Sequence, residues 1–207
     1  SEVYNKKIKN LSKVISGIGF EETKTLPTIV GLCEVENKNV VEDLINSDLL
    51  KNANYGISHF DSPDERGIDV ALIYRKNMFK ILNENSAYLE LKYASGKINY
   101  TRDQLVVEGV LENEKIYIIV NHWPSRSGGE LGSRPYRNKA AELNMFIIDS
   151  IQSLNKNAKI ITMGDFNDDP TNESIKKILG AKDSRNNLKN SDLYNPCLLY
   201  TSDAADE

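Results

Sequence analysis

Lys159-Ile160-Ile161-Thr162-Met163-Gly164-Asp165-Phe166-Asn167-Asp168-Asp169-Pro170 is the stretch on which the reading of the fold turns. Its first five residues form a short apolar run with the length and composition of a buried strand. The polar residues then crowd just past the strand's carboxyl end, where open sheets collect their ligand sites. Asp, Asn and Pro also favour turns on their own account, so an Asx-rich turn is the competing reading. A calcium loop fails on spacing. Pro170 stands where such a loop needs its turn glycine, and Lys176 where it needs a bidentate Glu.

The same pattern, an apolar strand ending in a reactive side chain, recurs outward from this segment. Thr28 to Val35 reads as a strand carrying Glu34, Ile68 to Arg75 as a strand carrying Asp69, and Lys115 to Trp123 as a strand carrying His122. Tyr55 to Phe60, Phe79 to Leu91 and Gln104 to Leu111 add three more strands. Ile8, Leu11, Val14, Ile15 and Ile18 form the stripe of an opening amphipathic helix that Gly17 and Gly19 end. Helices are expected over Asn37 to Leu50 and near Glu173 to Leu179. A long one is expected over Arg134 to Asn155, with Ala140, Leu143, Ile147, Ile151 and Leu154 inward. Strands thus lie between helices, without an internal repeat or a linker, which predicts one α+β domain over residues 1–195. The last stretch, 196–207, has neither core periodicity nor capping logic and is expected to be a non-native tail.

Composition bounds the rest. The 207 residues are 40% apolar and 27% charged, which sets aside disordered and disulfide-scaffold classes. A formal charge of -4 means that a polyanionic partner has to meet a local basic patch. Cys33 and Cys197 are too few for a disulfide framework and have no structural-zinc spacing. Nothing approaches the ~20 apolar residues of a membrane span. No targeting segment is visible either, so the compartment stays open between cytoplasmic and secreted. A monomer is the default expectation.

Three further features bear on chemistry. A carboxylate such as Glu34, ending an apolar strand, is costly there unless paired or bound to a metal, although a loop beginning in water would also account for it. His122 leads into a loop with Arg126, Arg134, Arg137 and Lys139 against Glu130 alone, a cluster able to meet phosphate through bidentate arginines. Asp69 inside an apolar strand wants a partner, for which the His122 imidazole is the natural choice. Arg102 is available to a phosphate or to a surface pair with Asp103, and His59 reads as structural.

Taken in order, Cys33-Glu34-Val35, Arg66-Gly67-Ile68-Asp69-Val70-Ala71, Asn121-His122-Trp123-Pro124-Ser125 and Gly164-Asp165-Phe166-Asn167 resemble the endonuclease/exonuclease/phosphatase superfamily of DNase I-like enzymes. The resemblance implies a four-layer α/β/β/α sandwich of two mainly antiparallel sheets flanked by helices. It implies a phosphodiester hydrolase acting on nucleic acid, with Mg²⁺ on Glu34 and Mn²⁺ as an alternative ion. Asp165 and Asn167 would orient water and phosphate, and His122 would donate to a nonbridging oxygen. Arg102, Arg126 and Arg134 would hold the remaining substrate.

The same core also serves phosphatases and sphingomyelinases. The family pattern has an early Asn and a terminal Asp-His pair, whereas this chain holds only His59 and His122. The expectation is therefore of a chain truncated at both ends and inactive as it stands. The runner-up is a noncatalytic module that binds nucleic acid without turnover. A P-loop is disfavoured, because Gly128-Gly129 is not followed by the required Gly-Lys-Ser/Thr spacing.

Overall fold

The computed structural model describes residues 1–197; the expected tail lies outside the described residues from position 198 onward. The chain divides into two compact units. The first comprises Ser1–Tyr88, Tyr100–His122 and Ile161–Gly164; the second comprises Leu89–Asn99, Trp123–Ile160 and the chain from Asp165.

The first unit opens with α1 (Glu2–Gly17), whose first turn is capped by the Ser1 hydroxyl accepting from the Tyr4 N–H, and with the single turn α2 (Phe20–Thr23). The strands β1 (Ile29–Val35), β2 (Tyr55–His59) and β3 (Asp69–Arg75) form an antiparallel sheet in the order β1-β3-β2. Between β1 and β2 runs α3 (Lys38–Ile45), started by the Asn37 side chain, which accepts from the Val40 N–H. The helix stops at Ile45, short of the expected Leu50.

Ile15, Val41, Leu44, Leu50, Tyr55, Ala71 and Ile73 bury themselves between these helices and one face of the sheet. The other face, through Val70 and Leu72, packs on Phe79, Leu105, Val107, Ile116, Ile118 and Val120 of a second sheet. That sheet runs β4 (Phe79–Ala87), β5 (Gln104–Leu111), β6 (Glu114–His122) and β7 (Lys159–Asp165), in this order. Alternation along β3 sends Val70 and Leu72 to one core and Ala71 and Ile73 to the other, which is why that strand reads as continuously apolar.

The α1 stripe is narrower than its spacing predicts. Ile8 and Ile15 reach the core, whereas Leu11, Val14 and Ile18 are exposed, because Ser12 takes the buried position between them and returns its hydroxyl to the Lys9 carbonyl.

The second unit holds α4 (Glu130–Leu154) and a π-helical turn at Ser174–Ile178. Trp123, Ala140, Ala141, Ile175 and Leu179 form its core with Leu89 and Leu91. The buried side of α4 is Ser133, Arg137, Ala140, Ala141, Asn144, Ile148 and Ile151. Of the other expected inward residues, Leu143 packs half-buried against that core, Ile147 is half-buried and Leu154 is exposed, while Arg137 and Asn144 take buried positions that the stripe does not show. Among the described residues no helix is long and apolar enough to cross a membrane.

Candidate active-site residues

Glu34 stands on a β-bulge. Cys33 pairs with Val70 and Val35 with Asp69, so Glu34 is the extra residue pushed out between two ladder positions. Its φ of 58° is left-handed, and among the described residues it is the one non-glycine inside a β-strand held so. A conformation of this kind costs on the order of 1–3 kcal/mol and persists where the surroundings over-determine it, frequently at functional sites. The carboxylate is exposed and takes no hydrogen bond or ion pair from the described residues. A free, hard carboxylate oxygen on a rigid strand end suits Mg²⁺, which uses one or two carboxylates and keeps its waters.

His122 ends β6 and is buried. The strand end is locked by its neighbour Asn121, whose amide donates to the Ile119 carbonyl at 3.1 Å, the Thr162 hydroxyl at 2.9 Å and the Met163 carbonyl at 3.2 Å. The Cys33 thiol donates to the Asn121 carbonyl at 3.3 Å. Gly164 passes so close that a Cβ would run into the Asn121 backbone, and its φ of 131° suits glycine alone. Strand ends bearing Glu34, His122 and Gly164 are thereby tied through one buried asparagine. The sequence motif contains Asn121, but nothing in it signals this role.

Asp69 corrects an expectation. It is buried, yet its partner is His59, not His122: the His59 Nε2 lies 3.0 Å from Asp69 Oδ2, while the Ser62 N–H and hydroxyl donate to Oδ1 at 2.8 and 2.7 Å. The register explains it, since β2 and β3 are hydrogen-bonded neighbours with His59 opposite Ala71, two residues from Asp69 on the same face. Arg102 is buried, with its guanidinium 3.0 Å from Asp64, and Asp103 accepts from the Ser86 hydroxyl at 2.8 Å.

In the second unit, the Gly-Asp-Phe-Asn segment is a tight Asx turn. Asp165 Oδ1 accepts the Asn167 N–H at 2.9 Å, Asn167 takes a left-handed φ of 51°, and its side-chain amide donates to the Trp123 carbonyl at 2.9 Å. The Trp123 N–H donates to the Asp165 carbonyl at 2.9 Å, and Phe166 meets the Trp123 ring edge-on with centroids 4.8 Å apart. The Asp165 residue is exposed.

The next residue, Asp168, anchors the loop. Its carboxylate accepts from Arg137 Nε at 2.6 Å, Ser174 Oγ at 2.6 Å and Asn172 Nδ2 at 2.8 Å. Arg137 also donates to Glu130 at 2.7 Å and to the Ser133 hydroxyl at 2.9 Å. The arginines of this loop are accordingly engaged by acids, by Glu130 and by Asp168 and Asp169, whose part sequence spacing concealed. Arg126 donates to the Asn167 carbonyl at 3.0 Å and to Asp169 at 2.8 Å, the latter raising its pKa above the ordinary arginine value. Arg134 leans on Glu130 at 3.3 Å.

The whole chain was compared with known families and structures. The profile described as the Endonuclease/Exonuclease/phosphatase family matches residues 1–204. The chain belongs to the endonuclease/exonuclease/phosphatase family. No curated protein sequence matches the chain.

Three solved structures share the fold. TDP2 from D. rerio complexed with a single-strand DNA product is 15% identical, with a TM-score of 0.54 over 83% of this chain and 58% of that one. The human Nocturnin catalytic domain with a bound sulfate anion is 20% identical, with a TM-score of 0.55 over 81% of this chain and 60% of that one. SmcL is 14% identical, with a TM-score of 0.60 over 86% of this chain and 64% of that one. The chain thus spans less than two thirds of the length of each. The α+β fold of two mainly antiparallel sheets with helices is the family's DNase I-like fold. The family is one of hydrolases.

Proposed function

We propose that the protein hydrolyses phosphodiester bonds with the help of a divalent cation, Mg²⁺ first among them, and that nucleic acid is its substrate. The observation that carries the reading is the Glu34 bulge, an otherwise unengaged carboxylate held in a strained backbone conformation at the end of a core strand. The DNA product bound by D. rerio TDP2 and the sulfate bound by human Nocturnin support an anionic, nucleic-acid substrate.

A phosphodiester resists attack because its anionic oxygens repel a nucleophile, so hydrolysis needs those charges absorbed as the bond to water forms. Glu34 would hold the cation, which when bound polarises a phosphoryl oxygen and withdraws the developing charge. Asp165 is exposed, and would orient the attacking water and draw off its proton. The Asn167 amide and the His122 imidazole would donate to nonbridging oxygens. The Asp168–Arg137 pair keeps the Asx turn in shape, and Arg126 braces the turn through the Asn167 carbonyl.

The test is hydrolysis of a single-stranded DNA oligonucleotide and of bis(p-nitrophenyl) phosphate, with and without Mg²⁺, by a chain that also carries the family's terminal Asp-His pair, the 207-residue chain alone being expected to show little or no turnover. Turnover that EDTA and Glu34→Gln both abolish is the expected result. Turnover indifferent to both overturns the reading. Running a lipid phosphodiester and a phosphomonoester in parallel separates nuclease from lipid-directed or phosphatase activity.

A further inference from the structure

His59, Asp61 and Asp69 form a cluster in the first unit that the proposed hydrolysis does not use. One ligand-type atom from each, the imidazole nitrogen and a carboxylate oxygen from each aspartate, lies within 4.8 Å of the others. The His59 and Asp69 side chains are 3% and 6% exposed, whereas Asp61 opens to solvent. The arrangement therefore has two fixed members and one at the entrance.

We infer that these three side chains make a second divalent-cation site, one that takes a borderline transition ion such as Zn²⁺ or Co²⁺. Four features of the cluster argue for it. First, His59 Nε2 and Asp69 Oδ2 are 3.0 Å apart. Two ligands bound at about 2.1 Å are separated by roughly 3.0 Å at a right angle and roughly 3.4 Å at the tetrahedral angle, so an ion takes both with a side-chain shift of a few tenths of an ångström at most.

Second, the other Asp69 oxygen is already committed. Ser62 donates to Oδ1 through its N–H and its hydroxyl, at 2.8 and 2.7 Å. That is the outer-shell support a metal-bound carboxylate needs, and it leaves Oδ2 facing the histidine. Third, Asp61 engages in no hydrogen bond or ion pair among the described residues, so its carboxylate is able to swing onto an ion. Fourth, one imidazole with two carboxylates is a donor set for Zn²⁺, Co²⁺ or Mn²⁺, while Mg²⁺ prefers oxygen alone. On binding, the imidazole takes the tautomer protonated at Nδ1 and offers Nε2 to the ion.

Glu34 is not one of the three residues, although its bulge lies opposite Val70 and Asp69 in the β1–β3 register, so its carboxylate has to be removed for the site to be read alone. The test therefore uses Glu34→Gln protein, stripped of metal and titrated with Co²⁺ while visible absorption is followed. The inference expects one Co²⁺ per chain with ligand-field bands, displaced by Zn²⁺ and not by a similar amount of Mg²⁺. His59→Asn should remove the bands. Asp61→Ala, at an exposed position where folding is unaffected, should weaken Co²⁺ binding by about tenfold or more. Absence of stoichiometric Co²⁺ binding in Glu34→Gln protein, or unchanged affinity in folded Asp61→Ala protein, overturns it.

Discussion

Arg137 and Asp168 meet at 2.6 Å with side chains that are 0% and 1% exposed, the most deeply buried ion pair among the described residues. Both charges are taken out of water, and each is compensated further by neighbours: Glu130 and Ser133 for the arginine, Ser174 and Asn172 for the aspartate. Removing one partner leaves an uncompensated buried charge. Arg137→Ala is expected to cost about 3–5 kcal/mol in urea denaturation. Arg126→Ala, where the arginine itself is exposed to solvent and its charge screened, should cost much less. Equal losses for the two would contradict the assignment of Arg137 as the buried anchor.

Glu34 offers a test in which stability and function part company. Glycine tolerates φ of 58°, and relief of a left-handed residue is worth about 1–2 kcal/mol. The added chain entropy of glycine takes back roughly 0.5–1 kcal/mol. Glu34→Gly should therefore be as stable as the parent or slightly more so, while losing Mg²⁺-dependent hydrolysis. Glu34→Gln should lose hydrolysis with no gain in stability. Thermal denaturation beside a hydrolysis assay reads both effects.

Gly164→Ala should be far more damaging than its single methyl group suggests, because the new Cβ meets backbone atoms of Asn121 that cannot move aside. The expected loss is on the order of 3 kcal/mol, in the range of overpacking combined with a conformation glycine alone adopts. Gly67→Ala is the control: its φ is also positive, but nothing lies within 4 Å of the added Cβ, so the loss there should be smaller.

Tyr55 sets an alkaline limit. Burial raises its pKa above the ordinary 10.0, and its hydroxyl donates to the Pro27 carbonyl at 2.5 Å. Below the unfolded value both states keep the proton, and the stabilisation is complete. As pH climbs past 10.0 the unfolded chain ionises first, so stability falls until the folded tyrosine titrates too. Denaturation midpoints should decline above about pH 10, and less steeply in Tyr55→Phe. That variant should also be weaker at neutral pH by about 0.5–1.5 kcal/mol for the lost hydrogen bond.

What the sequence made legible followed from periodicity and from strand ends. The strands from Ile29 to Asp165 lie close to where their apolar runs put them, and Glu34, His122, Asp165 and Asn167 occupy strand ends or the turn after one. Partnerships were less legible. His59 was read as structural and Asp69 as the companion of His122, because only the register of β2 against β3 reveals that the first two meet. Arg137 looked like a surface cation among arginines, and its burial depends on Asp168, 31 residues further along the chain. The positive φ of Glu34 has no sequence signature at all, since the residue type that advertises such a conformation is glycine.

The most direct test of the central claim is the fate of a single-stranded DNA oligonucleotide incubated with Mg²⁺ and a chain that also carries the family's terminal Asp-His pair, followed by product length and by binding in the same samples. Hydrolysis of phosphodiester bonds that stops with EDTA and is lost in Glu34→Gln, while binding persists, is the predicted result. An oligonucleotide bound in a salt-dependent way and never cleaved would contradict it, and would make the protein a noncatalytic nucleic-acid-binding member of its family.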